Sequence, residues 1–220
     1  HKAKGLEFPV VVIADAAHWV TNVLSSDFGT NTRTRQVDLD LDGEDEYVIA
    51  NNLLYACFER YGGRLIKAFA IDWCPDTQTY DAREIVGAPI ANPSDPTEAE
   101  LEAGESHFNR CSAFRDAGQV DTAYVVSPVP NGFTFSHGGI TKTITLPPAM
   151  DTLVADYDVS GTTYVRTGLS PNNLDLLMHG QSGLEIDSGA GYYGILSTNS
   201  GGRAYLLWDT PATRISSPLD

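Results

Sequence analysis

Basic residues are scarce in this chain: 14 lysines and arginines stand against 29 aspartates and glutamates, for a formal net charge of −15. Binding of a phosphate backbone needs clusters of lysine and arginine, and none is present, so a nucleic-acid partner is excluded. The same imbalance, with a pI near 4.5, argues against an anionic membrane surface. Cysteine is nearly absent, with only Cys57, Cys74 and Cys111. Three cysteines cannot all pair within one chain, and no CxxC or Cys/His spacing suited to zinc occurs. Cys57 lies in an apolar strand-like run and reads as a buried free thiol, whereas Cys74 and Cys111 could form one disulfide. No apolar run reaches the roughly eighteen residues of a membrane span, and Pro9–Ala14 is too short for a signal peptide's layout. The chain does not begin with methionine, so the expectation is a mature form or an excised fragment, with residues 1–8 a tag or linker.

Helical periodicity is also scarce. Short β-branched and aromatic runs, punctuated by Gly, Pro, Asn and Asp, take its place. Hydrophobic residues make up 42% and aromatics 10%, enough to fill a core. The expectation is an all-β chain: one large antiparallel β-sandwich over residues 1–220, of jelly-roll or super-sandwich type, with one or two short helices. Strands are expected near Val10–Ala14, Tyr47–Ala50, Leu53–Phe58 and Arg64–Asp72. Others are expected near Thr122–Val126, Gly132–Phe135, Ile140–Leu146, Leu153–Val159, Thr163–Thr167, Tyr192–Ser197 and Arg203–Trp208. Thr141–Leu146 alternates cleanly, which gives one wet and one dry face. Asn131-Gly132 and Gly138-Gly139 are hairpin signals. Asn92–Glu105, with five acidic residues and no basic one, reads as a surface excursion or short helix. Leu169–Leu177 is the best helix candidate, with Pro171 in the first turn and Gly180 as a stop.

The densest chemical signal is Asp38–Glu46, in which six of nine residues are acidic and Asp38, Asp40 and Asp42 alternate up to Gly43. Carboxylates at such spacing repel one another unless a cation or a solvated loop absorbs the charge. Calcium takes about six to eight oxygen ligands in a flexible shell, and a glycine at the sixth position of its loops allows the sharp turn. The candidate ligands are Asp38, Asp40, Asp42, Glu44 (through its carbonyl) and Glu46. The twelfth position, which carries a bidentate glutamate in a helix-loop-helix calcium site, falls on Ile49. The loop therefore reads as a Ca2+ site capping a strand, with a solvated acidic turn as the alternative.

Other constellations are weaker. Residues 1–12 resemble the nucleotide-linked motif of superfamily 1 helicases, but no GxxxxGK[ST] loop accompanies them and the charge is wrong for a translocase. Gly180–Leu184 lacks the second glycine of a nucleophile elbow and follows a helix candidate rather than a strand. The pairs Asp156/Asp158 and Glu185/Asp187 could serve a glycosidase, though an acidic chain produces such pairs by chance. His18, His107 and His137 are dispersed. Trp19, Trp73, Tyr192, Tyr193 and Trp208 are candidate ligand-binding residues, because flat rings stack on sugar faces. Tyr192-Tyr193 puts one ring on each face of a strand, so at most one of them need be core.

Asp42–Phe58, continued by Glu59-Arg60-Tyr61-Gly62-Gly63-Arg64-Leu65, resembles the opening of the C-terminal β-sandwich domains of family 57 α-amylases and 4-α-glucanotransferases, which are galactose mutarotase-like. The shared features are an acidic turn, an N-x-L-x-A-x-F strand, and a Gly-Gly-Arg turn into the next strand. Val86-Gly87-Ala88-Pro89 resembles the segment that follows. The resemblance spans about a third of the chain and implies a sandwich attached to, or descended from, a glucan-active enzyme. The resulting expectation is a calcium-stabilised, carbohydrate-binding accessory domain of a secreted polysaccharide-active protein. It would be extracellular or periplasmic, part of a larger multidomain protein, and partnered by a poly- or oligosaccharide. The alternatives are a sugar-active enzyme (a glycoside hydrolase, lyase or epimerase) and a structural or adhesion module.

Overall fold

A computed structural model describes residues 30–39, 43–74, 76, 79–87, 112–119, 122–166, 184–198 and 201–209. Strands β1 (Arg33–Val37), β2 (Glu46–Ala50), β3 (Leu54–Phe58), β4 (Leu65–Cys74) and β5 (Thr79–Gly87) form an antiparallel meander in chain order. Strands β2 and β3 are apolar in both phases of the pleat, so both faces of the sheet's centre are buried. Ile49, Ala56 and Phe58 enter one apolar cluster, while Val48, Ala50 and Cys57 enter another on the opposite side. Cys57 is buried and outside any disulfide.

A second antiparallel sheet packs on the first of these faces. Two short strands, β6 (Arg115–Asp116) and later β11 (Val165–Arg166), pair outside it. The sheet itself contains β7 (Val125–Val129), β8 (Gly132–His137), β9 (Ile140–Thr145) and β10 (Val154–Val159), in the order β10-β9-β8-β7. Across the interface Tyr47 meets Phe133 and Phe135 edge-on, with centroids 5.3 and 5.8 Å away, and Phe58 lies 5.7 Å from Phe135. T-shaped packing suits the ring quadrupoles. A third sheet joins β12 (Leu184–Gly189), β13 (Tyr192–Ser197) and β14 (Arg203–Leu207). The fold is all-β and sandwich-like, and no helix occurs among the described residues.

Turn chemistry explains the hairpins. His137 pairs with Ile140, and Gly138 and Gly139 between them have φ of 55° and 85°, as a type I′ turn requires. The β7–β8 turn falls one residue earlier than the sequence suggests. Val129 pairs with Gly132, so the loop is Pro130-Asn131, and Asn131 takes the positive φ of 62°. Gly132 serves the ladder instead, because a Cβ there would lie 1.9 Å from the Ile144 carbonyl oxygen.

Strand β13 has the limits expected from sequence, and most others shift by a few residues at an end. The largest shift is β7, which begins at Val125 rather than near Thr122. Strands β1, β5, β6 and β12 were not expected. In β1, Arg33-Thr34-Arg35-Gln36-Val37 is an edge strand, where charge protects an unpaired ladder and hides the apolar alternation. The expected strand at Val10–Ala14, the excursion at Asn92–Glu105 and the helix at Leu169–Leu177 lie outside the described residues. So do Cys111 and the side chain of Cys74.

Candidate functional site: an exposed tyrosine face and an acidic loop

The three-stranded sheet segregates its residues by pleat. Tyr193, Ile195 and Ala204 are buried on one face. On the other face the register aligns Gly189 with Tyr192 and Leu207, and Asp187 with Gly194 and Tyr205. Glycine opposite an aromatic residue lets the ring settle onto the backbone. A Cβ on Gly189 would lie 2.4 Å from Tyr192 Cε1, and one on Gly194 would lie 2.3 Å from Tyr205 Cε1. Both hydroxyls converge on one carboxylate: Tyr192 donates to Asp187 Oδ1 at 3.1 Å and Tyr205 to Oδ2 at 3.2 Å. The hydrogen bond to Asp187, reinforced by its charge, raises the Tyr192 pKa and keeps that phenol a donor. Tyr205 is 43% exposed and Leu207 67% exposed. Glu185 and Arg203 stand exposed on the same face, opposite Leu196.

The arrangement is a flat, solvent-facing patch of two oriented rings around a carboxylate. A carboxylate has about four acceptor sites, so two tyrosine donors leave capacity for further hydroxyl groups. Tyr192 belongs to this patch. Tyr193, at 9% exposure, points the other way into the core, away from this patch. Trp208 is half-buried just past β14, and its amide donates to the Gly191 carbonyl. Trp19 and the Trp73 side chain lie outside the described residues. Tyr205 and Asp187 are the members that the sequence did not single out as ligand-binding. The signal that could have found them is the Gly194–Tyr205 pairing, visible only once the strand register is known.

In the acidic loop, Gly43 has φ of 97° and its amide donates to Asp38 Oδ2 at 3.1 Å. Glu46 is buried and accepts the Leu39 amide at 2.5 Å. Glu44 pairs with Arg60 at 3.1 Å, and Asp45 accepts from Gln36 at 2.8 Å. Arg60 supplies the one positive charge among these partners, and the others are neutral donors. Asp38 Oδ1, however, is buried with no hydrogen-bond partner. Asp40 and Asp42 lie outside the described residues. Among the described residues no three His, Cys, Asp or Glu side chains group as a metal site.

The remaining sequence candidates are separate. Asp156 and Asp158 are exposed on β10, and His137 is exposed with its ring 5.7 Å from Tyr124. One polar cluster lies deep in the sandwich. Lys142 occupies the same pleat phase as Ile144 and is fully buried, with its Nζ 2.7 Å from Asp116 Oδ2. Its other donors reach the carbonyls of Phe114 at 2.7 Å and Gly62 at 2.9 Å, and Tyr124 donates to Asp116 Oδ2 at 2.7 Å. Burial lowers the Lys142 pKa, and the neighbouring Asp116 charge opposes that shift. No family model, curated protein or solved structure matches this chain.

Proposed function

We propose that the chain is a carbohydrate-binding β-domain whose ligand lies across the outer face of the β12–β14 sheet. The observation that carries this reading is the pair of tyrosines laid over Gly189 and Gly194, with both hydroxyls on Asp187. A pyranose presents an apolar C–H face and a rim of hydroxyls. Tyr192 and Tyr205 supply the stacking surface, while Asp187 and Glu185 accept from the rim. A flat patch suits an extended polysaccharide rather than a small enclosed ligand. The carboxylate pairs stand on exposed faces, which favours binding over hydrolysis, since a glycosidase acid needs a raised pKa in a sheltered site. The domain would act as an accessory to a secreted polysaccharide-active protein.

Calcium at the acidic loop belongs to the same proposal. The unpartnered Asp38 Oδ1 favours it, and the Glu46 carboxylate is already engaged, so a cation there would draw first on Asp38. Electrophoresis through gels containing starch, cellulose, xylan or mannan, with and without calcium, tests the function. Retardation in one polysaccharide without release of reducing sugar is the expected result. Unretarded migration in all four would refute the binding role, and sugar release abolished by substituting one carboxylate would favour the enzyme.

A further inference from the structure

The buried Lys142–Asp116 pair points to covalent chemistry. We propose that Lys142 Nζ and Asp116 Cγ join in an intramolecular isopeptide bond, a self-formed crosslink between β9 and β6. The two side chains are 0% exposed and 2.7 Å apart, and they come from segments 26 residues apart in sequence. The rings of Tyr124 and Tyr157 lie 5.0 and 5.9 Å from Nζ, so the pair sits among aromatic surface rather than water. Gly63, with φ of 51°, leaves room for the lysine stem: a Cβ there would lie 2.9 Å from Lys142 Cε. Asp116 Oδ2 receives both Lys142 and Tyr124, whereas the buried Oδ1 has no hydrogen-bond partner. The two oxygens are thus already unlike, one crowded by donors and one bare.

The first step passes a proton from Nζ to Oδ2 along their 2.7 Å hydrogen bond, which puts an amine lone pair against a carboxylic acid. The Nζ lone pair attacks Cγ and forms the C–N bond. The Cγ–Oδ2 bond then breaks, and Oδ2 leaves as water with the proton it already holds and a second one from nitrogen. Oδ1 becomes the amide carbonyl. The remaining N–H still has the Gly62 and Phe114 carbonyls as acceptors. Ammonium plus carboxylate gives amide plus water, with no oxidant, reductant or co-reactant. The Tyr124 hydroxyl on Oδ2 is a positioning group that supports the departing oxygen. The product replaces two buried charges with a neutral, hydrogen-bonded amide and releases a water, which favours closure.

The intact mass of the purified, denatured protein tests the bond. The wild type is expected one water lighter than its sequence mass, and trypsin is expected not to cleave after Lys142. Digestion should release a branched peptide joining the segments around Asp116 and Lys142. Asp116→Ala should return to the full sequence mass with linear peptides, and this readout does not depend on whether the variant folds. A wild-type mass equal to that of the sequence would overturn the proposal. So would a water loss that maps to a succinimide at Asp42-Gly43 instead of to the branched peptide.

Discussion

At the scale of single residues, the tyrosine patch depends on what lies beneath the rings. Valine at Gly194 would put side-chain carbon where Tyr205 Cε1 now lies, 2.3 Å from the Cβ position, and would push the ring off the sheet. Gly194→Val is therefore expected to weaken polysaccharide binding about as much as Tyr205→Ala, roughly tenfold or about 1.4 kcal/mol. Circular dichroism should remain unchanged, so that the loss is assigned to the patch. Three tyrosines outside the patch, Tyr47, Tyr55 and Tyr157, bear on stability at high pH. Burial raises the pKa of Tyr47 and lifts those of Tyr55 and Tyr157 well above 10.0. Their stabilisation is complete below 10.0, the unfolded value, and is lost as pH climbs toward the folded values, because the unfolded chain gives up these protons first. Denaturant unfolding from about pH 8 to about pH 11 should show stability falling above the phenol range, with a shallower fall in Tyr157→Phe. An identical slope in that variant would remove Tyr157 from the explanation. Sequence gave partial access to this level. Alternation predicted that Tyr192 and Tyr193 face opposite ways. It also placed Lys142 in the dry phase of Thr141–Leu146, where an apolar residue belongs. Its partner Asp116 and the platform residue Tyr205 were not legible, because each depends on which strand lies opposite.

At the scale of elements, the sandwich is held where β2 and β3 meet β8. Phe135 is fully buried and touches Tyr47, Phe58 and Phe133. Phe135→Ala is expected to cost about 3–5 kcal/mol, measured by urea unfolding, as surrounding rings cannot all collapse into the space. A cost below about 1 kcal/mol would mean that the two sheets are not packed through this ring. The acidic loop is an element with two descriptions. Its hydrogen bonds from Gly43 to Asp38 and from Leu39 to Glu46 brace it without a metal. Calcium at the proposed site would add stability by mass action, about 2.7 kcal/mol at a hundred times the dissociation constant. A lower melting temperature in EDTA, restored by calcium, is expected. An unchanged melting curve would leave the loop as a self-satisfied acidic turn. Strands with apolar runs in both phases, such as β2 and β3, were readable because burial on both faces demands such residues. The charged strands β1 and β5 were not, since their backbone pairing leaves no mark on the side-chain pattern.

For the whole molecule, β-runs separated by turn residues and the lack of helical periodicity were enough to predict an all-β class. The same pattern supported a sandwich, while the order of strands within each sheet was beyond it. The proposed binding face depends on strand order, because the outer face of β12–β14 exists only once three separate segments align. The proposed role of this face is polysaccharide binding. Titration calorimetry of the wild type, Tyr205→Ala and Tyr164→Ala with the polysaccharide that retards the protein in gels tests it most directly. Tyr164, 59% exposed outside the patch, is the control for losing any surface tyrosine. Saturable binding that weakens about tenfold in Tyr205→Ala and persists in Tyr164→Ala is the expected result. Equal affinity in all three proteins, or no heat of binding in any, would contradict it.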